Sequence, residues 1–270
     1  MSALADRLRA LAAQAGAAAP ARSATAAVPT ATADRLRALI AGRQRRSRAS
    51  LAPPAGRTLA PGVQDVEADH AWPATPTVRL PWGEDGEVAR ERLVWFDTET
   101  TGLAGGVGTR AFMIGAARWH GGVLRMRQFY LTALAGEPAM LAAFADWLPP
   151  AAILVSYNGR SYDAPLLKGR FRLNRLPCPI EGRGHCDLLY PTRRRYRGRW
   201  VNCRLATIER QALGVVREDD LPGAEAPAAW LSYLRGVSAT PLGRVLDHNA
   251  QDLRSLVLLL DHLSEVPAGA

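Results

Sequence analysis

Four carboxylates and a histidine occupy positions where chemistry is possible. Leu93-Val94-Trp95-Phe96 is an apolar run that ends in Asp97-Thr98-Glu99, the pattern of a buried strand. Residues i and i+2 of a strand point to one face, so the Asp97 and Glu99 carboxylates converge. Converging carboxylates repel, and one pKa rises unless a cation lies between them. Oxygen-rich clusters of this kind suit Mg2+ or Mn2+. Asp163 ends the segment Tyr157-Asn158-Gly159-Arg160-Ser161-Tyr162-Asp163, where a strand passes through a glycine-containing turn into a helix. Alone, it reads first as a helix N-cap. His248 and Asp252 stand four residues apart in His248-Asn249-Ala250-Gln251-Asp252 and are therefore neighbours on one helical face. Asp252 lies beside the apolar face of Leu246, Leu253, Leu256 and Leu260, so its charge needs a partner, whether a cation held by the acids or an arginine such as Arg244 or Arg254.

The elements that must position these groups can be read from periodicity. Residues 112–119 and 123–131 flank His120-Gly121-Gly122 as a hairpin. Residues 137–148 have helical spacing and stop at Pro149-Pro150, and 152–156 form a second apolar strand followed by a helix near 164–171. Helices are expected at 207–213 and 227–234, and 242–263 is the longest amphipathic stretch. Strand, hairpin, helix, strand and helices in this order describe a mixed-sheet α/β domain.

Composition bounds the rest. The chain has 270 residues and a net charge of +9, with 34 basic side chains of which only Lys168 is a lysine. That arginine preference by itself says little about function. An apolar fraction of 48% supports one buried core, but no run approaches the ~18 apolar residues of a membrane span. With no secretory signal and three cysteines (Cys178, Cys186 and Cys203), a disulfide framework is not expected and a cytoplasmic location is. The cysteines also lack the C-x2-C spacing of a zinc site.

Charge divides the chain. Residues 1–60 hold ten arginines against two acids and read as a basic, Ala-rich, largely disordered arm. Within it, Ala5-Asp6-Arg7-Leu8-Arg9-Ala10-Leu11 recurs at 33–39 as a pair of short helices, which a protein partner could dock against. Residues 61–88, with six acids against one arginine, read as an acidic linker, and 89–266 as the folded domain.

Together and in order, Phe-Asp-Thr-Glu-Thr at 96–100, Tyr-Asn-x3-Tyr-Asp at 157–163 and His-x3-Asp at 248–252 resemble the three exonuclease motifs of the DEDD (DnaQ-like) superfamily. The segments 102–109, Phe112-Met113-Ile114-Gly115, Asp187-Leu188-Leu189, 205–213 and Asp220-Leu221-Pro222-Gly223 resemble its YprB-type, ribonuclease-H-like branch. The resemblance implies a ribonuclease-H-like fold, with a mixed five-stranded sheet flanked by helices. It implies two divalent cations, Mg2+ or Mn2+, held by Asp97, Glu99, Asp163 and Asp252. It also implies a hydrolase that cleaves phosphodiester bonds as a 3′–5′ exonuclease. His248 would take the proton from the attacking water. It stands four residues before Asp252, the spacing of the tyrosine subclass, whereas members with a catalytic histidine have five.

Substrate contacts have their own candidates. A glycine-rich loop runs from Thr100 and Gly102 to Thr109, where backbone can approach a phosphate closely. Tyr157, Asn158 and Arg160 adjoin Asp163. Arg193, Arg194, Arg195, Arg197 and Arg199 interleave with Tyr196 and Trp200, a pattern in which arginines neutralise phosphates and aromatics stack unpaired bases. The expected partner is RNA or DNA, single-stranded at the site. The competing expectation is a catalytically silent nucleic-acid-binding or adaptor protein that has kept the fold.

Overall fold

The computed structural model describes residues 52–81, 86–102, 108–218 and 220–265. The chain divides into two units, Met1–Arg45 and Arg46–Ala270. The first, with the arm's two repeats, lies outside the described residues, as does 103–107 of the glycine-rich loop.

Among the described residues, strands β1 (Arg57–Ala60), β2 (Val63–Ala71), β5 (Leu93–Thr100), β6 (Ala111–His120), β7 (Val123–Leu131), β8 (Ile153–Ser156) and β9 (His185–Asp187) form one sheet in the order β1-β2-β7-β6-β5-β8-β9. The short β3 (Thr77–Arg79) and β4 (Glu87–Ala89) pair separately. β5, β8 and β9 run parallel and the other neighbours antiparallel. Helices are α1 (Glu137–Trp147), α2 (Asp163–Leu173), α3 (Leu189–Tyr196), α4 (Leu205–Ile208, continued by π-helical 209–213), α5 (Ala226–Leu234) and α6 (Thr240–Glu265).

The mixed α/β architecture is as expected, but the sheet has seven strands rather than five. The additional two come from 57–71, read from charge as the end of the arm and the start of a linker. In β2 the acids alternate, so Asp65, Glu67 and Asp69 share one face opposite the arginines of β7. Arg127 reaches Asp65 at 2.6 Å and Arg125 reaches Asp69 at 2.8 Å. The negative charge of this stretch complements a basic strand. Composition registered that charge but not its period.

The β6–β7 hairpin turns on Gly121 and Gly122, both at positive φ (57° and 82°), as a two-residue turn of matching twist demands. The sheet has an apolar layer on each face. Val94 and Phe96 pack with Met140 and Phe144 of α1 and Leu167 and Phe171 of α2. Leu93 and Trp95 pack with Leu253, Leu256, Val257 and Leu260 of α6. Each such side chain, fully buried, contributes about 1.5–3 kcal/mol of transfer free energy. Strand parity therefore aims Asp97 and Glu99 toward the α6 side, and Thr98 and Thr100 toward the other.

Candidate active site

The last residues of β5 are held from both faces. Asp97 Oδ2 accepts a 2.9 Å hydrogen bond from Asn249 Nδ2 of α6. Asn249 is fully buried and is itself fixed, because Gln128 Nε2 donates to its Oδ1 at 3.0 Å and to the Leu246 carbonyl at 2.7 Å. This approach needs a glycine in the sheet. A Cβ on Gly115, the β6 residue opposite Asp97, would stand 2.0 Å from Asn249 Oδ1. On the other face, the Thr98 hydroxyl donates to Asp163 Oδ1.

Asp163 opens α2 after a turn fastened by Asp187. The buried Asp187 carboxylate accepts from the backbone N–H groups of Asn158 (2.7 Å), Arg160 (3.0 Å) and Leu189 (3.1 Å). Asn158 sits at φ 65°, a left-handed conformation that asparagine tolerates better than most residues. Gly159 leaves room for Asp163: a Cβ there would lie 3.2 Å from its Oδ2 and 2.4 Å from Ser156 Oγ.

His248 and Asp252 are neighbours on α6, with His248 Nε2 3.6 Å from Asp252 Oδ2. The cationic partner of Asp252 is Arg217, not Arg244 or Arg254. The Arg217 guanidinium bonds Asp252 Oδ1 and, through Nε (2.7 Å) and Nη2 (2.5 Å), both oxygens of the buried Glu209. The Ser255 hydroxyl also donates to Glu209. Asp220 Oδ1 lies 2.7 Å from His248 Nδ1. Sequence reasoning missed Arg217 and Glu209, since nothing in local spacing links an arginine after the π-helix to the terminal helix.

Electrostatics follow from this packing. Burial, together with the charges of Asp252, Asp163 and Glu99, pushes the Asp97 carboxyl well up. Burial raises Glu99 to about 7 against the His248 charge that opposes it, and raises Asp163 to about 6 against the hydrogen bond from Thr98. Asp252 is also raised by burial, although Arg217 and His248 pull it down. His248 rises despite its burial, because Asp252, Asp220 and Glu99 favour its charged form. Among the described residues, no group of three or more His, Cys, Asp or Glu stands close enough together to hold a metal ion as placed. The donor set is all oxygen and mutually repelling at Asp97, Glu99 and Asp163, which fits a hard divalent cation. At Asp252 a guanidinium already supplies positive charge.

The predicted site residues border three separate cavities. Thr100, Gly102, Thr109, Tyr157 and Asn158 border a cavity of about 240 Å3 together with Asp97 and Asp163. Its rim adds Tyr162, 58% exposed, an aromatic that its position next to Asp163 could have flagged. His248 borders a separate groove of about 670 Å3 with Arg217, Asp220 and Arg254. Arg160 and Arg194 line a third, of about 300 Å3.

The arginine-rich run is a correction. Arg193, Arg194 and Arg195 lie in α3, with Arg197 and Arg199 just beyond it. Helical periodicity turns Tyr196 inward, where it is 4% exposed, stacks on Trp200 at 4.6 Å and bonds His262 at 2.5 Å. Trp200 is half-buried beneath it and carries the Arg199 guanidinium at 5.6 Å. These two rings hold α3 against α6 and do not present a platform for bases. The Arg193, Arg194, Arg197 and Arg199 side chains are exposed.

Among the described residues, no helix is long and apolar enough to cross a membrane.

Comparison with known proteins agrees with this architecture. The chain is 35% identical over 178 residues to the uncharacterized protein YprB of Bacillus subtilis (strain 168), an alignment covering 65% of this chain and 43% of that protein. The chain thus spans under half of that relative's length. A family B DNA polymerase from the hyperthermophilic archaeon Pyrobaculum calidifontis superposes with a TM-score of 0.51 at 17% identity, over 65% of this chain and 25% of the polymerase, a likeness of fold. A family profile described as RNase_H superfamily matches residues 94–264, the span that carries all four acids and His248, and the chain belongs to that superfamily.

Proposed function

We propose that this chain is a divalent-metal-dependent nuclease, a 3′–5′ exonuclease acting on RNA or DNA that is single-stranded at the site. The observation that supports this reading is that the buried Asp97 carboxyl feels the charges of Asp252, Asp163 and Glu99. After burial, the charges of the other three are what raise the Asp97 carboxyl, and such an arrangement is costly without a cation.

Asp97, Glu99, Asp163 and Asp252 would hold two Mg2+ or Mn2+ ions. Ions bound there supply Lewis-acid activation of water and offset charge on the phosphate. The protein's part is orientation and proton transfer. Asn249 fixes the Asp97 carboxylate and Thr98 that of Asp163, so neither has to be ordered when the substrate arrives. In neutral His248, Asp220 at 2.7 Å from Nδ1 favours the Nδ1–H tautomer over the one in which Nδ1 would accept from Arg217 Nη1, 3.2 Å away. The His248 Nε2 lone pair, on the Asp252 side, then accepts the proton of the attacking water. Thr100, Gly102, Thr109, Tyr157, Asn158 and Tyr162 border the cavity that would take the terminal nucleotide, and the exposed arginines of and after α3 would neutralise the trailing backbone.

The test is Mn2+- or Mg2+-dependent release of nucleotides from end-labelled single- and double-stranded RNA and DNA. Release by the wild type and none by Asp97→Ala is expected. Equal rates for the two, or no release from any substrate, would overturn the reading. A second reading, a catalytically silent binding or adaptor protein, is favoured by one observation: Arg217 already neutralises Asp252. That reading predicts nucleic-acid binding with no metal-dependent cleavage.

A further inference from the structure

The parallel strands β5, β8 and β9 end at one edge of the sheet, the edge where parallel α/β sheets bind ligands. At the end of β5 stand Asp97 and Glu99. The end of β8 leads into the turn from Tyr157 to Asp163, and that of β9 into Asp187 and α3. The candidate active site uses the β5 and β8 positions. A second cavity, of about 300 Å3, lies at the β8 and β9 positions and is lined by Arg160, Asp187, Tyr190, Pro191 and Arg194. One turn serves both cavities, since Asn158 borders the first and Arg160 the second.

The second cavity has the chemistry of a nucleotide site. Tyr190 is 51% exposed, and among the described residues none bonds its hydroxyl. Arg194 follows it by one helical turn on the same face of α3 and donates a single hydrogen bond, from Nη2 to the Pro81 carbonyl at 2.8 Å. No described residue pairs with the Arg160 guanidinium. Asp187 does not oppose an anion as a bare carboxylate would, because the backbone N–H groups of Asn158, Arg160 and Leu189 already answer its charge. An exposed aromatic between two under-used guanidinium groups contributes little to folding. It matches an unpaired base with phosphates on either side.

We propose that this cavity is a second nucleotide subsite, where an unpaired base of the nucleic-acid strand stacks on Tyr190 and the adjacent phosphates pair with Arg160 and Arg194. The proposal rests on the nuclease reading of the neighbouring cavity, from which the strand would continue along the sheet edge. A paired base has its face covered, so the subsite selects single strands.

The test is fluorescence anisotropy of labelled single-stranded oligo(dT) and oligo(U) with the full chain in EDTA, where cleavage is blocked. Tyr190→Ala should weaken binding about five- to a hundredfold, the worth of one base–aromatic stack. Tyr190→Phe should bind as the wild type does, which separates stacking from a loss of folding. Replacing Arg160 and Arg194 with Gln should flatten the dependence of log affinity on log salt by about 0.7 for each phosphate that is no longer neutralised. Wild-type affinity for Tyr190→Ala, equal weakening in Tyr190→Phe, or no binding by the wild type would overturn the subsite. Cleavage, measured separately, distinguishes the two claims. Tyr190-dependent binding without metal-dependent cleavage sinks the nuclease and leaves the subsite; Asp97-dependent cleavage with unaltered Tyr190→Ala binding does the reverse.

Discussion

The two halves of the candidate site solve the same problem differently. At the end of β5, no arginine or lysine among the described residues bonds Asp97, Glu99 or Asp163; Asp97 accepts from the Asn249 amide and Asp163 from the Thr98 hydroxyl, and burial raises the pKa of all three. On α6, Asp252 is bonded by Arg217, whose guanidinium is anchored by buried Glu209. One half has no arginine bonded to its acids and the other carries its own. The difference teaches where divalent ions, if the proposed function holds, would have most to offer, which is the β5 half, and where they would have to share a carboxylate with a resident cation.

The largest effect should come from breaking the uncompensated half. Asp97→Asn or Asp163→Asn should abolish metal-dependent hydrolysis while raising the stability of the metal-free protein, since a repelling charge is removed; denaturant unfolding in EDTA checks the second point. On the compensated half, Arg217→Gln leaves Glu209 buried without its cation and should destabilise by about 3–5 kcal/mol. The double variant Glu209→Gln/Arg217→Gln should recover much of that loss and bind Mn2+ more tightly than the wild type, read by titration of free Mn2+. Weaker binding would mean that Arg217 supports the ions rather than competing with them.

A smaller effect belongs to the groups that orient the acids. Asn249→Ala removes the amide on Asp97 and should lower metal affinity about 10–100-fold. Gly115→Ala drives a Cβ into Asn249 and should act in the same direction.

The gentlest probe is pH. Folding raises Glu99 from its ordinary value near 4.5 to about 7 and Asp163 from 3.8 to about 6. Between those limits the folded state holds protons that the unfolded state has released, so these two groups lower stability as pH rises. Their penalty is absent below about pH 4 and complete above about pH 7. The Tm of the metal-free protein should fall across that window. Glu99→Gln should flatten the fall, and Mn2+ should reverse it. A Glu99→Gln profile parallel to the wild type would remove the electrostatic account of this half.

Much of the site was legible in the sequence because strand and helix periods are short-range. The interval from Asp97 to Glu99, and that from His248 to Asp252, state which side chains share a face. The apolar run before Asp97 states that the strand is buried. What stayed hidden depends on residues distant in sequence. Asn249 reaches Asp97 across 152 positions, and Arg217 meets Asp252 from a loop beyond the π-helix. The inward turn of Tyr196 follows from the helical period of α3, which the alternation of arginines and aromatics does not state. β2 was hidden for a different reason: net charge was counted over a stretch where alternation carried the information, and its partner strand β7 lies far along the chain in a basic hairpin.

The most direct measurement is titration of the metal-free full chain with Mn2+, following free ion by electron paramagnetic resonance, for the wild type and Asp97→Asn. A site for two ions built on Asp97, Glu99, Asp163 and Asp252 predicts saturable uptake of two Mn2+ by the wild type and loss of that uptake in the variant. Uptake unchanged by Asp97→Asn, or no uptake by the wild type, would contradict it.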